Sequence, residues 1–337
     1  MKDKNFSIEF LRIVFMMYIV MRHSLAAAGI FRDNCLWIGV EFFFVLSGFL
    51  LTTTFSADKS IWRYVVERYV RFVPLTALGC ALCALIVTPD LLSLVSNILL
   101  LSETGSVVFS GASNPPTWYL SVLVWGGTLY LLLFKYCRAK YFVVALMVIV
   151  GLSLLRKHGY EPVNGGISIA GVPHRFVRGV AEMGVGCAAA MFFRRDILSR
   201  FSYALMSMLE VGTFLVAIVG PFAPIWNHPG CITLLVLNDA LLIGLFMSKS
   251  GCLSRLLNMP FWGELSQYVL ALFCTHYVTT FAIEKTMMSN AGLSVRSLMV
   301  GGALLGSVVL SVVSRKFIEI PCAKFLRRRF DESEILK

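Results

Sequence analysis

The chain has 337 residues, 58% of them hydrophobic and only 15% charged, with a net charge of +11 and a mean hydropathy of +0.78. An ordinary soluble domain is roughly 45–50% apolar and roughly 25% charged, and a soluble globule cannot hide so much apolar surface as this chain carries. The composition excludes a disordered protein, a secreted disulfide scaffold and a nucleic-acid-binding domain. The basic excess falls in short clusters between apolar runs, the pattern of membrane topology rather than of nucleic-acid binding.

Apolar runs lie at roughly 6–28, 38–57, 73–89, 118–134, 141–155, 173–193, 204–222, 231–248, 267–283 and 297–317. A span uses about 20 residues, so these runs fill the chain and leave only short loops. They predict an all-α, polytopic membrane helical bundle of about ten transmembrane helices. A membrane domain is expected over 1–321, followed by a basic cytoplasmic tail over 322–337. Near the N-terminus, Lys2, Lys4, an apolar stretch and Ala26-Ala27-Ala28 have the outline of a signal peptide. Glu9 and Arg12 precede that stretch and Arg22-His23 interrupt its end, so an uncleaved first span is expected. Leu91 to Leu101 is too short to cross and ends in the polar loop Ser102 to Thr117, which predicts an interfacial or re-entrant helix. With the N-terminus placed in the cytoplasm, roughly two thirds of the Lys and Arg residues fall in inside loops. That bias predicts both termini in the cytoplasm. The nine cysteines are scattered, and the Cys80, Cys83 pair lies in an apolar span without a second pair or a nearby His. They read as packing residues, and no metal site is expected.

Charges within a span cost roughly 2.5–3.5 kcal/mol at its centre and usually face a cavity or a partner. Arg12 and His23 are eleven residues apart in the first run. That is close to three helical turns, so they share a face about 16 Å apart along the axis. They read equally as membrane-interface markers or as cavity residues. Glu41 opens the second run, and Ser47-Gly48 permits close helix approach. The loop after it carries Arg63, Arg68 and Arg71 before Pro74. Arg68 and Arg71 would share a helical face, either as a positive-inside anchor or as a bidentate phosphate site. Arg178 and Glu182 are spaced to pair on one helix. They and Asn238-Asp239 read as internal helix glue or as cavity lining.

Six segments follow one another in order: Phe10-Leu11-Arg12, ten residues, then His23; Gly39 to Phe49, reading GVEFFFVLSGF; Arg68-x-x-Arg71 before Pro74; Pro116-Thr117-Trp118-Tyr119-Leu120-Ser121; Gly263 to His276, reading GELSQYVLALFCTH; and Phe317-Ile318-Glu319-Ile320-Pro321. In this combination the chain resembles the acyltransferase 3 family of membrane-bound O-acyltransferases, in the short branch without an appended esterase-like domain. Leu123 stands where many members have Glu. The resemblance implies transfer of an acyl group, usually acetyl, from cytoplasmic acetyl-CoA or another acyl-CoA to a hydroxyl of a cell-surface or lipid-linked saccharide. It implies a multi-pass protein of the bacterial cytoplasmic (inner) membrane. Its partners would be the lipid bilayer, acyl-CoA as donor substrate and a carbohydrate acceptor, with no permanently bound cofactor. Under it His23 is expected as the base for the acceptor hydroxyl, with Arg12 and Glu41 beside it in the catalytic set. Arg63, Arg68 and Arg71 would meet the donor's phosphates. Ser47, Trp118, Tyr119, His276 and Glu319 are expected at the acceptor site or as structural partners. The competing class is a transporter or flippase of a saccharide or small anionic solute, although no inverted repeat is visible.

Overall fold

The computed structural model describes residues 4–30, 35–56, 58, 60–105, 113–160, 168–169, 171–193, 200–223, 228–287 and 291–332. Lys2, Lys59, Arg194, Arg195, Lys337 and both chain ends, which enter the topology argument, lie outside the described residues. The long helices are α1 (Phe6–Ala27), α2 (Ile38–Thr54), α3 (Ile61–Ala84), α5 (Trp118–Tyr136), α6 (Lys140–His158), α7 (His174–Phe192), α8 (Tyr203–Val219), α9 (Pro229–Ser248), α12 (Val269–Thr286) and α13 (Leu293–Ser314). Short helices intervene: α4 (Leu91–Ile98), α10 (Cys252–Leu256) and α11 (Pro260–Leu265). A π-helical turn, Arg315–Glu319, joins α13 to α14 (Ile320–Glu332). The described sheet is one two-stranded hairpin, Ser168–Ile169 against Val172–Pro173. Every apolar run of the sequence is therefore helical, and the protein is a helical membrane bundle.

Six helices among the described residues are long and apolar enough to cross a membrane by length and composition alone. Of the other long helices, α2 is apolar but short. The remaining three, α3, α7 and α12, carry Arg68 and Arg71, Arg178 and Glu182, and His276. Such residues are expected where a helix faces protein and not lipid, and α1 carries Arg12 and His23 as well.

One expectation is corrected. Arg63, Arg68 and Arg71 do not lie in a loop but in the first turns of α3, which starts well before its apolar run and contains Pro74. Ser60 starts the helix early by accepting a hydrogen bond from the Arg63 backbone N–H at 3.4 Å, the usual work of a serine N-cap. Pro74 removes one rung of the ladder without ending the helix, because packed neighbours can hold a proline within a membrane helix.

The chain divides into two compact units, Met1–Ile19 with Asp33–Ser56 and Leu129–Gln267, and Val20–Arg32 with Ala57–Thr128 and Tyr268–Lys337. In the first unit α2 crosses α7 at two glycines. A Cβ on Gly48 would stand 1.9 Å from the Met183 carbonyl oxygen, and one on Gly186 would stand 1.9 Å from that of Val45. Only glycine lets these backbones meet so closely. The same unit stacks Phe15 on Phe42 at 3.9 Å. Its buried Glu210 accepts from the Gly251 and Ser254 backbone N–H groups at 2.9 and 3.0 Å.

In the second unit the Leu91 to Leu101 stretch forms only the short helix α4. Asp90 caps its start, accepting from the Ser93 N–H at 2.9 Å. Its end leaves carbonyls that have no helical partner. Tyr69 Oη donates to the Leu99 carbonyl at 2.8 Å and Trp125 Nε1 to that of Leu100 at 2.9 Å. These side chains give the end of α4 the partners that its own turns cannot supply.

Candidate active site

The second unit brings two of the expected residues into direct contact. His23 on α1 and His276 on α12 face each other with Nδ1 of His23 2.9 Å from Nε2 of His276. The ring planes differ by 14° and the centroids are 5.1 Å apart. That separation is the N···N distance plus one ring radius at each end, so the rings lie edge to edge and nearly coplanar. This is the geometry of a straight N–H···N bond. Nδ1 of His276 lies 2.9 Å from the Phe273 carbonyl and 3.1 Å from that of Leu272. His276 is fully buried, whereas His23 is partly exposed. Tyr277 closes the edge of the pair, its ring 5.0 Å from that of His23.

Two further contacts tie the Pro116-to-Ser121 segment to this place. Asn114 donates from Nδ2 to the Cys274 carbonyl at 2.8 Å, two residues before His276. Tyr119 packs edge-on against Phe273 at 5.2 Å, and Phe273 lies 6.1 Å from the His276 ring. Trp118 begins α5 beside them in sequence. Gly79 on α3 makes this packing possible, because a Cβ there would stand 2.1 Å from the Cys274 carbonyl oxygen.

Along α3 the arginines differ in their surroundings. Arg63 is exposed and pairs with Glu67 at 3.0 Å, an arrangement worth about 0.3–0.5 kcal/mol. Arg68 is half-buried between aromatic rings, 4.9 Å from Tyr64 and 5.8 Å from Phe72. Tyr64 fits there because position 127 is glycine. Ring faces hold the guanidinium plane by cation–π attraction while leaving its N–H edge able to donate. Arg71 is exposed one turn further on. Glu319 lies in the π-turn and pairs with Arg315 at 3.1 Å, while the Arg315 guanidinium sits 5.6 Å from the Tyr268 ring.

The first unit holds the other expected residues in separate ion pairs. Arg12 donates to Glu9 at 2.7 Å. Glu41 pairs with Arg178, both deeply buried. Arg178 also donates to the Tyr160 carbonyl at 3.0 Å, lies 3.8 Å from Glu182 and packs over the Trp37 ring at 4.9 Å. The i, i+4 spacing of Arg178 and Glu182 is thus met in space, with Glu41 as an additional partner. The carboxylate against Arg12 is Glu9, one turn away on the same helix, because a local pair needs no tertiary placement. Ser47 bonds back to the Phe43 carbonyl at 2.7 Å, the self-satisfying habit of serine inside a helix. Asn238 donates to the Thr213 carbonyl at 3.0 Å as interhelical glue.

Sequence reasoning missed Asn114, which reaches Cys274 from 160 positions away, whereas Tyr64, one helical turn before Arg68, and Tyr277, next to His276, could have been found by spacing. The fold and its polar contacts define a helical membrane protein with a histidine pair in one unit and a buried Arg–Glu cluster in the other. An acyltransferase-domain family model matches residues 5–314. The chain belongs to that family, acyltransferase 3, and is a membrane acyltransferase. No curated protein and no solved structure matches it significantly.

Proposed function

We propose that the protein transfers an acetyl group from cytoplasmic acetyl-CoA to a hydroxyl of a cell-surface or lipid-linked saccharide, at the bacterial cytoplasmic membrane. The observation that carries this reading is the imidazole of His23. Its Nδ1 is engaged by His276, while among the described residues its Nε2 has no hydrogen-bond partner. A sugar hydroxyl is a weak nucleophile until a base takes its proton, and imidazole is the side chain suited to that near neutral pH. His23 Nε2 accepts the proton as the acceptor oxygen bonds to the acyl carbon. The carbon–sulfur bond then breaks, and the sulfur leaves with the electron pair and takes the proton to become the CoA thiol. Arg68 and Arg71 meet the donor's phosphates, with Arg63 at the rim because Glu67 already engages it. Arg12, about 16 Å from His23 along α1, would meet a phosphate of the donor and not its carbonyl oxygen.

The experiment is acetyl-CoA-dependent thiol release by the purified protein given saccharide extracts, beside mass analysis of surface polysaccharide from cells with and without the gene. Loss of acetyl groups in the deleted strain and acceptor-dependent thiol release are expected. Saccharide moved across vesicles without thiol release would replace this reading with transport. Replacing Arg68 and Arg71 together by Ala removes two charge-assisted contacts of about 1.5–3 kcal/mol each. The apparent acetyl-CoA constant should rise more than tenfold while the membrane level holds. Unchanged donor kinetics would leave both as topology anchors.

The proposed direction of transfer rests on topology. The basic bias supports both ends on the cytoplasmic side, so a reporter fused after Lys337 should read as cytoplasmic. An extracytoplasmic signal would overturn the ten-span arrangement.

A further inference from the structure

The hydrogen bonds of His276 decide which nitrogen of His23 is free to work. Its Nδ1 faces two backbone carbonyl oxygens, of Leu272 and Phe273. Carbonyls only accept, so the proton of neutral His276 sits on Nδ1, shared between them. Its Nε2 then carries a lone pair and accepts. Among the described residues the group placed to donate to it is Nδ1–H of His23, 2.9 Å away. His23 is thereby fixed with its proton on Nδ1 and a bare Nε2, on the ring that is partly exposed. The other tautomer would set two lone pairs against each other in a buried place, where an unmet polar group costs about 1–3 kcal/mol.

We infer that His276 is the positioning residue for acyl transfer, holding His23 as the Nδ1–H tautomer so that Nε2 is the base. This rests on the reading of His23 as base and adds the group that sets its tautomer. The role given elsewhere in proteins to a carboxylate behind a catalytic histidine is here filled by a neutral imidazole anchored on the turn of α12 before it. When His23 Nε2 takes the acceptor's proton, the ring becomes a cation whose Nδ1–H still points at His276 Nε2. That proton can pass to His276, whose Nδ1–H already donates to the two carbonyls. The positive charge is then spread over two rings and two peptide dipoles, and returns as the proton leaves on the CoA thiol. A carboxylate would hold the cation more tightly. The imidazole gives it up more readily, which suits a base that must return its proton to a departing thiolate.

The test is the nitrogen NMR spectrum of full-length protein carrying ¹⁵N-histidine in lipid nanodiscs. The chain has five histidines, and the His23 signals are those lost in His23→Gln. The wild type should show His23 protonated at Nδ1 and bare at Nε2. His276→Ala should let His23 populate the Nε2–H tautomer. The same change should lower kcat for acetyl-CoA-dependent thiol release by about 10²-fold or more, within the reach of general-base catalysis, with the acetyl-CoA KM unchanged. His276→Gln, whose side-chain oxygen can accept the same bond, should keep the tautomer and regain at least tenfold of that loss. A wild-type His23 protonated at Nε2, or a tautomer indifferent to His276→Ala, would overturn the inference. If the tautomer behaves as expected while His23→Gln retains full activity, it is the reading of His23 as base that falls.

Discussion

His23→Ala should abolish acyl transfer at an unchanged level in the membrane. General-base catalysis contributes roughly 10²–10⁴ in rate, and the acceptor hydroxyl would keep its proton without it. Ala leaves the buried Nε2 of His276 without its partner, an unmet group costing about 1–3 kcal/mol, so the membrane level must be measured beside the activity. His23→Gln is the sharper variant. It keeps much of the size and can donate to His276 Nε2 from its amide, yet it cannot take and return a proton. It should be as inactive as Ala when acetyl-CoA-dependent thiol release is followed in membranes. Near-normal activity in the Gln variant would make His23 a positioning residue and move the base to Glu41 or Glu319.

What could be read from the sequence was whatever is local. Ten apolar runs became helices, and six of these are long and apolar enough to cross a membrane, which length and hydropathy decide with little help from tertiary contacts. The short α4 was legible for the same reason: Leu91 to Leu101 cannot cross. The start of α3 was not, because the basic residues that read as a loop are held helical by a serine cap and by aromatic neighbours. Pairings across helices were the hardest to see. His23 and His276 are 253 positions apart, and nothing in either segment names the other. Arg178 showed its local partner Glu182 by spacing, but Glu41 lies 137 positions away and is brought in by the glycines at 48 and 186. The sequence placed Glu41 beside His23 in role, whereas in the structure it forms an ion pair with Arg178.

Arg178→Met should be the most destabilising single change in the first unit. Arg178, Glu41 and Glu182 are all nearly or fully buried. Removing one partner of a buried pair costs about 3–5 kcal/mol, because the charge left behind has no compensation. Here two carboxylates would lose the same guanidinium. Thermal unfolding in detergent should show a large fall in midpoint, or no folded protein should be recovered. Arg178→Lys should rescue only part, since a point charge cannot hold Glu41, the Tyr160 carbonyl and the Trp37 face at once. Glu41→Gln should be milder, because the amide oxygen can still accept from Arg178 and Glu182 remains near. This last variant separates two roles for Glu41. If it serves to hold α2 on α7, the unfolding midpoint and the rate of acyl transfer should fall together. If it acts on substrate as well, the rate should fall far more than the midpoint does. A Glu41→Gln protein of wild-type stability and wild-type rate would remove Glu41 from the catalytic set and leave the Arg178 pair as packing.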